Sequence, residues 1–184
     1  MKFARTATFL ATAWALAGPA QAAIFTFTGD TTGKPTYNRP FEDLSGISPT
    51  GTGVHYDTFS FTVGATGDYT VLTTGSFDTF ITLYVGSFLP ASALTNAFAA
   101  NDDLIAPPFT TSGLGATLSV GATYILVMTG FNPNEFGAYS TTIGGPGAII
   151  SSVPEPAGWG LLGLGLASVA LRRRSTAAAA NDGA

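Results

Sequence analysis

The chain has 184 residues, a formal net charge of -4 at pH 7 and no cysteine. The lack of cysteine excludes disulfides, thiolate metal sites and cysteine nucleophiles. Between the two terminal segments, only Lys34 and Arg39 oppose nine acidic residues, so we expect no nucleic-acid partner, because phosphate binding requires clustered basic side chains.

The first 22 residues have the pattern of a secretory signal peptide. Lys2 and Arg5 precede an apolar run, and residues 20–22 form a small-residue A-x-A site of the kind that signal peptidase cleaves. Cleavage between Ala22 and Ala23 would leave Ala23 as the first mature residue. We therefore predict that residues 1–22 are removed and that the rest of the protein is exported.

Residues 23–150 are enough for one domain with a real core, and their pattern predicts an all-β domain. Phe59, Phe61 and Val63 alternate with polar residues, which puts them on one face of a strand. Residues 78–85 and 124–128 carry apolar groups on both faces, as central strands of an antiparallel β-sandwich do. The predicted strands are 24–28, 57–63, 68–73, 78–85, 114–120, 124–128 and 136–143, with a turn at 64–67 joining two of them as a hairpin and a long irregular segment at 34–49.

Four segments of this domain, 57–61, 77–84, 101–103 and 121–124, resemble in order and spacing the bacterial pre-peptidase C-terminal (PPC) domain pattern. The resemblance implies a jelly-roll β-sandwich that accompanies secreted enzymes without being catalytic itself. The chain departs from the family pattern at residues 104–109, where Ala106-Pro107-Pro108 makes a stiffer loop.

Acidic and amide side chains suggest a calcium site. Asn101, Asp102 and Asp103 supply adjacent oxygen ligands in a predicted loop, and Asp78 joins them if the sandwich brings the two segments together. Hard oxygen ligands in a flexible loop suit calcium. The alternative is a solvated acidic turn, since Asp and Asn are common turn formers.

No catalytic set is apparent. His55 and Ser60 fall on opposite faces of one predicted strand, so they cannot meet as base and nucleophile. A hydrolase using Asp57 and Asp78 is an alternative, but their spacing gives no reason to expect proximity. We therefore predict that the protein is not an enzyme.

Six aromatic side chains fall in predicted loops. They either close the ends of the sandwich, which we favour, or are exposed and stack on sugar rings. These residues are Tyr37, Phe41, Phe88, Phe98, Phe109 and Phe131.

Residues 151–184 form a sorting tail. Pro154-Glu155-Pro156 is followed by an uncharged stretch at 157–171 and then by Arg172-Arg173-Arg174. The prolines favour an extended recognition segment. The apolar stretch predicts a short membrane-spanning helix. The arginines predict that the C-terminal end of this helix lies in the cytoplasm. The three parts resemble the PEP-CTERM signal of Gram-negative exported proteins, which an exosortase recognises.

Together these features predict an exported, noncatalytic protein of the cell envelope or extracellular matrix. Its precursor would be anchored in the inner membrane by the C-terminal helix and processed by exosortase, and the product would reach the cell surface or the medium. By association, the PEP-CTERM resemblance implies exopolysaccharide or biofilm as a partner. The alternatives are a calcium-dependent carbohydrate-binding module and a secreted carboxylate-dependent hydrolase.

Overall fold

The computed structural model describes residues 22–151. Outside these residues lie positions 1–21 of the predicted signal peptide and, in the tail, the predicted Pro154-Glu155-Pro156 segment, helix and arginine cluster. The described part contains ten β-strands and one short 3-10 helix, Pro90–Ser92, and within it no helix is long and apolar enough to cross a membrane. The strands are β1 Ala23–Asp30, β2 Thr36–Tyr37, β3 Val54–Val63, β4 Gly67–Gly75, β5 Thr79–Val85, β6 Ala97–Asn101, β7 Thr111–Leu118, β8 Tyr124–Gly130, β9 Ala138–Gly145 and β10 Ile149–Ser151.

The strands form two antiparallel sheets. One has the order β1-β9-β4-β7, and the other has the order β10-β3-β8-β5-β6 with the short β2 also paired to β3. Strands β1 and β3 to β9 divide between the sheets in the order of a jelly roll, the eight-stranded double Greek key. The predicted all-β, jelly-roll-like sandwich is confirmed.

The core between the sheets follows the predicted alternation. Phe59, Phe61 and Val63 on β3 are buried, and the ring of Phe27 on β1 stacks on Phe59 at a centroid distance of 4.1 Å. Two polar groups that enter this core are paired, since the hydroxyls of Thr73 and Thr141 lie 2.8 Å apart. Burial of these side chains is the main stabilising term of such a sandwich.

The predicted central strands are also confirmed. Strand β8 lies between β3 and β5, and β5 lies between β8 and β6. All seven residues of β8 are buried, as are the first six of β5. The second face of this sheet is covered by a smaller cluster in which Tyr37 and Tyr84 are buried together.

Several strand assignments from the sequence were wrong. Strands β3 and β4 are not a hairpin, because β3 pairs with β8 and β10 whereas β4 pairs with β7 and β9. The turn at 64–66 therefore crosses from one sheet to the other. Strand β7 ends at Leu118, and Val120 lies beyond it with 58% of its surface exposed.

Strand β6 was not predicted, because Ala97, Ala99 and Ala100 have weak strand propensity. It places Phe98 and Asn101 in a strand instead of in loops. Similarly, Tyr37 belongs to the short strand β2 inside the segment predicted to be irregular.

Candidate metal site

Three carboxylates meet at one end of the sandwich. Asp78 directly precedes β5, while Asp102 and Asp103 directly follow β6. Because β5 and β6 are antiparallel neighbours, with Ile81 opposite Asn101, the start of one strand lies beside the end of the other. One ligand oxygen from each of the three aspartates lies within 4.8 Å of the other two.

Asn101 supports the same loop through its amide. Its Oδ1 accepts a hydrogen bond from the Gly113 N–H at 2.7 Å, and its Nδ2 donates to Glu42 Oε1 at 2.8 Å. The side chain thus joins the end of β6 to β7 and to the loop that contains Glu42. Its oxygen already has one partner, which distinguishes it from the three carboxylates.

Each of the three aspartates has an Oδ1 atom that is buried and has no hydrogen-bond partner. Burial is the main cause that raises the pKa of Asp78 to about 6 and that of Asp102 to about 7, and the charge of Asp103 raises both further. Burial and the charge of Glu42 raise the pKa of Asp103. An isolated group of negative charges like this is costly unless it is neutralised by protons or by a cation.

The positive charge of Arg39 acts on this cluster and lowers the pKa of both Asp78 and Asp102. Its guanidinium nevertheless donates to carbonyl groups: Nε and Nη2 bond Phe131 O at 2.9 and 2.8 Å, and Nη1 bonds Pro40 O at 3.1 Å. Among residues 22–151, the ion pair found is Lys34 with Asp57. The carboxylate cluster thus has no direct basic partner within the described chain.

Sequence reasoning missed three residues that surround the cluster: Arg39, Glu42 and Glu135. Glu135 Oε2 accepts a hydrogen bond from the Asp78 N–H at 3.2 Å and its charge raises the pKa of Asp78. Arg39 and Glu42 come from the segment between β2 and β3, and Glu135 comes from the loop between β8 and β9. Both segments are far in sequence from Asp78 and Asp102, so no local spacing could have indicated them. Only the jelly-roll topology brings their loops to one end.

The other predicted polar residues occupy a different place. His55 Nδ1 lies 2.6 Å from Lys34 O, and the ring meets Phe136 edge-on. Asp57 pairs with Lys34 at 3.4 Å and accepts a hydrogen bond from the Tyr139 hydroxyl at 3.1 Å. These contacts tie loop and sheet together and give Asp57 a structural role, while Asp78 belongs to the aspartate cluster.

The six aromatic residues divide into two groups. Tyr37 is buried, Phe88 packs edge-on against it, and Phe131 covers Arg39, as expected of side chains that close the sandwich. The other three are partly exposed: Phe41 by 41%, Phe98 by 48% and Phe109 by 49%. The favoured interpretation therefore holds for the first group and not for the second.

Comparison with known proteins bears chiefly on the tail. Residues 152–174 match the PEP-CTERM protein-sorting motif, which confirms the predicted sorting motif and implies an exported protein processed by an exosortase. No curated protein matches the chain. The PPC resemblance of the body stays a prediction.

Nine chains of solved structures match. One is the crystal structure of Aeromonas hydrophila PliG, a periplasmic lysozyme inhibitor of g-type lysozyme. It is 13% identical, with 74% of this chain and 92% of that chain covered and a TM-score of 0.39.

Proposed function

We propose that this chain is an exported, noncatalytic protein of the cell envelope or extracellular matrix, held by its tail until exosortase processes it and then associated with exopolysaccharide. The observation that carries the proposal is the match of residues 152–174 to the PEP-CTERM protein-sorting motif. The β-sandwich body supports it, because two of the residues that sequence analysis considered for catalysis, His55 and Asp57, are engaged in structural contacts.

Replacing Glu155 should block maturation. The Glu155→Ala precursor should accumulate in the membrane fraction, because the exosortase would lose the charged group of the Pro-Glu-Pro segment. Intact mass of the protein from membrane and extracellular fractions measures this: the wild type should begin at Ala23 and end near Pro156, and the variant should keep residues 157–184.

The matched control is Asp182→Ala, which removes a tail carboxylate outside the matched motif. It should mature normally. Normal maturation of Glu155→Ala as well would contradict a recognition role for this segment, and a wild-type mass that retains the whole tail would contradict processing itself.

A second proposal concerns the aspartate cluster: we propose that Asp78, Asp102 and Asp103 bind one calcium ion. Three carboxylates within reach of one another, each with a buried oxygen that lacks a partner, support it. Calcium takes six to eight oxygen ligands, so Glu135, Glu42, Asn101 or water would complete the shell. The ion would tie together the loops that precede β5 and follow β6.

Calcium binding should be measurable by isothermal titration of the purified mature protein at pH 7.5. We expect one binding event, and Asp102→Asn should weaken it at least about tenfold because a charged ligand is replaced by a neutral one. Asp68→Asn, an exposed aspartate on β4 that bonds Thr117, is the control and should bind as the wild type does. Absence of heat in the wild type, or equal binding by Asp102→Asn, would exclude this site.

A further inference from the structure

The outer face of the four-stranded sheet has an unusual surface. Along each strand every second residue points outward, and in this sheet most of these residues are threonine, serine or glycine. We call this surface the hydroxyl face. Its hydroxyl groups come from Thr26, Thr28, Thr70, Thr74, Thr111, Thr117, Ser140 and Thr142.

The strand register arranges these groups in rows. Thr28 lies opposite Ser140, Ser140 opposite Thr74, and Thr74 opposite Thr111, so one row of four hydroxyls crosses all four strands. Neighbouring strands are about 4.8 Å apart, and outward residues along a strand repeat about every 6.8 Å. The face is therefore a regular array of hydrogen-bonding groups.

These hydroxyls are largely unused by the protein. Two contacts occupy members of the face: Thr26 with Thr142 at 2.9 Å and Thr117 with Asp68 at 2.6 Å. The row of four makes no side-chain hydrogen bond within residues 22–151. The inward hydroxyls behave differently, since Thr73 pairs with Thr141 and Thr79 with Ser112, each at 2.8 Å.

The face also carries shallow hollows. A hollow of about 600 Å³ lies over Thr28, Thr74 and Ser140, and two smaller hollows of about 380 and 270 Å³ lie over β4 and β7. The two smaller hollows are lined by Gly113 and Gly115 on β7, which place no side chain above the backbone. The hollow of about 380 Å³ is also lined by Leu72 on β4 and by Leu104 from the loop after β6, which give it an apolar floor.

We infer that the hydroxyl face binds an uncharged polysaccharide, an inference that rests on the exopolysaccharide association proposed above. A sugar chain offers hydroxyl donors and acceptors at its edges and C–H groups on its ring faces, which complement the threonine rows and the leucine floor. Charge supports this occupant over others. The face carries no basic residue, and its two acids, Asp30 and Asp68, each line one of its hollows, so it would not attract nucleic acid, an acidic polymer or an anionic membrane.

The test uses mature full-length protein purified from its host and polysaccharide from the same cultures, freed of protein and nucleic acid and separated by anion exchange into uncharged and acidic fractions. Cosedimentation measures binding. The variant Thr28→Val/Thr74→Val removes two hydroxyls of one row while keeping side-chain shape and strand propensity. We expect the wild type to bind the uncharged fraction and the variant to bind about tenfold more weakly, as the loss of two neutral hydrogen bonds predicts.

The matched control is Thr58→Val/Thr62→Val, the same change on the outward side of β3 in the other sheet, which should bind as the wild type does. Unfolding temperatures of all three proteins should agree, so that loss of binding is not loss of fold. Equal binding by both variants, binding of the wild type to the acidic fraction alone, or no binding at all would overturn the inference. The intact mass of the protein from the same cultures tests exosortase processing independently of binding. A correctly processed protein that fails to bind would contradict this inference and leave the sorting proposal unaffected.

Discussion

Arg39→Ala should lower the free energy of unfolding by about 3 kcal/mol or more, because it removes a buried side chain together with its hydrogen bonds. Arg39 is only 2% exposed. Its guanidinium carbon lies 4.1 Å from the centre of the Phe80 ring and 4.6 Å from that of Phe131, and cation-π contacts strengthen when they are desolvated. Truncation would remove both contacts and leave a cavity beneath the Phe131 loop.

The loss of hydrogen bonds adds to this effect. Phe131 O receives two N–H groups from Arg39 and Pro40 O receives a third, and hydrogen bonds to charged groups are stronger than neutral ones. Arg39→Lys should recover little stability, because an ammonium group cannot hold both carbonyls in the planar geometry of the guanidinium. Urea denaturation of the purified variants measures these differences.

Lys34→Ala is the control, since it removes the other basic side chain of the body. The Lys34 ion pair with Asp57 is 3.4 Å long and its lysine side chain is 45% exposed, so its loss should cost less than about 1 kcal/mol. If Arg39→Ala and Lys34→Ala were equally stable, the packing of the guanidinium would contribute little and the prediction would fail.

The part of the fold that depends on local pattern could be predicted from the sequence. The alternation of Phe59, Phe61 and Val63 identified the inward side of β3, and the double-sided apolar runs identified β5 and β8 as central strands. That β3 and β4 belong to different sheets could not be predicted, because a short glycine-containing turn serves equally for a hairpin and for a crossing between sheets. The choice is made by long-range partners, β8 for one strand and β7 and β9 for the other.

Some residues of the candidate metal site could likewise be predicted from the sequence, and others could not. Residue chemistry singled out Asp78 and residues 101–103, since adjacent Asn and Asp side chains in a predicted loop are visible in the sequence. The contributions of Arg39 and Glu135 were not visible, because an arginine in an irregular loop gives no sign that it will be buried against Phe80. The hydroxyl face was likewise hidden, since its rows exist only once four strands are in register.

Without calcium, the protein should be more stable at pH 5 than at pH 7.5. In the folded state burial and mutual repulsion raise the pKa of Asp78 to about 6 and that of Asp102 to about 7, from an ordinary value near 3.8. Between the ordinary pKa near 3.8 and the raised values of about 6 and 7, the folded protein binds more protons than the unfolded chain. Stability from this source is therefore fully present below about pH 4 and is lost as pH rises toward 7.

Calcium should reverse that loss, because the ion replaces the protons that neutralise the three carboxylates. At pH 7.5 and a calcium concentration 100 times Kd, binding to the folded state adds about 2.7 kcal/mol, or roughly 10 °C in unfolding temperature for a domain of this size. At pH 5 the gain should be much smaller, since protons compete for the same oxygens. Thermal unfolding of metal-depleted mature protein, with calcium or with sodium chloride at equal ionic strength, measures both effects.

Asp102→Asn distinguishes the cluster from other sources of pH dependence. The variant should lose most of the stabilisation by calcium, and its metal-free form should gain stability at pH 7.5 relative to the metal-free wild type, because one of the repelling charges is gone. Asp68→Asn should change neither behaviour. A metal-free wild type that becomes more stable from pH 5 to 7.5, or an Asp102→Asn variant that still responds fully to calcium, would show that these three carboxylates neither repel one another nor share a cation.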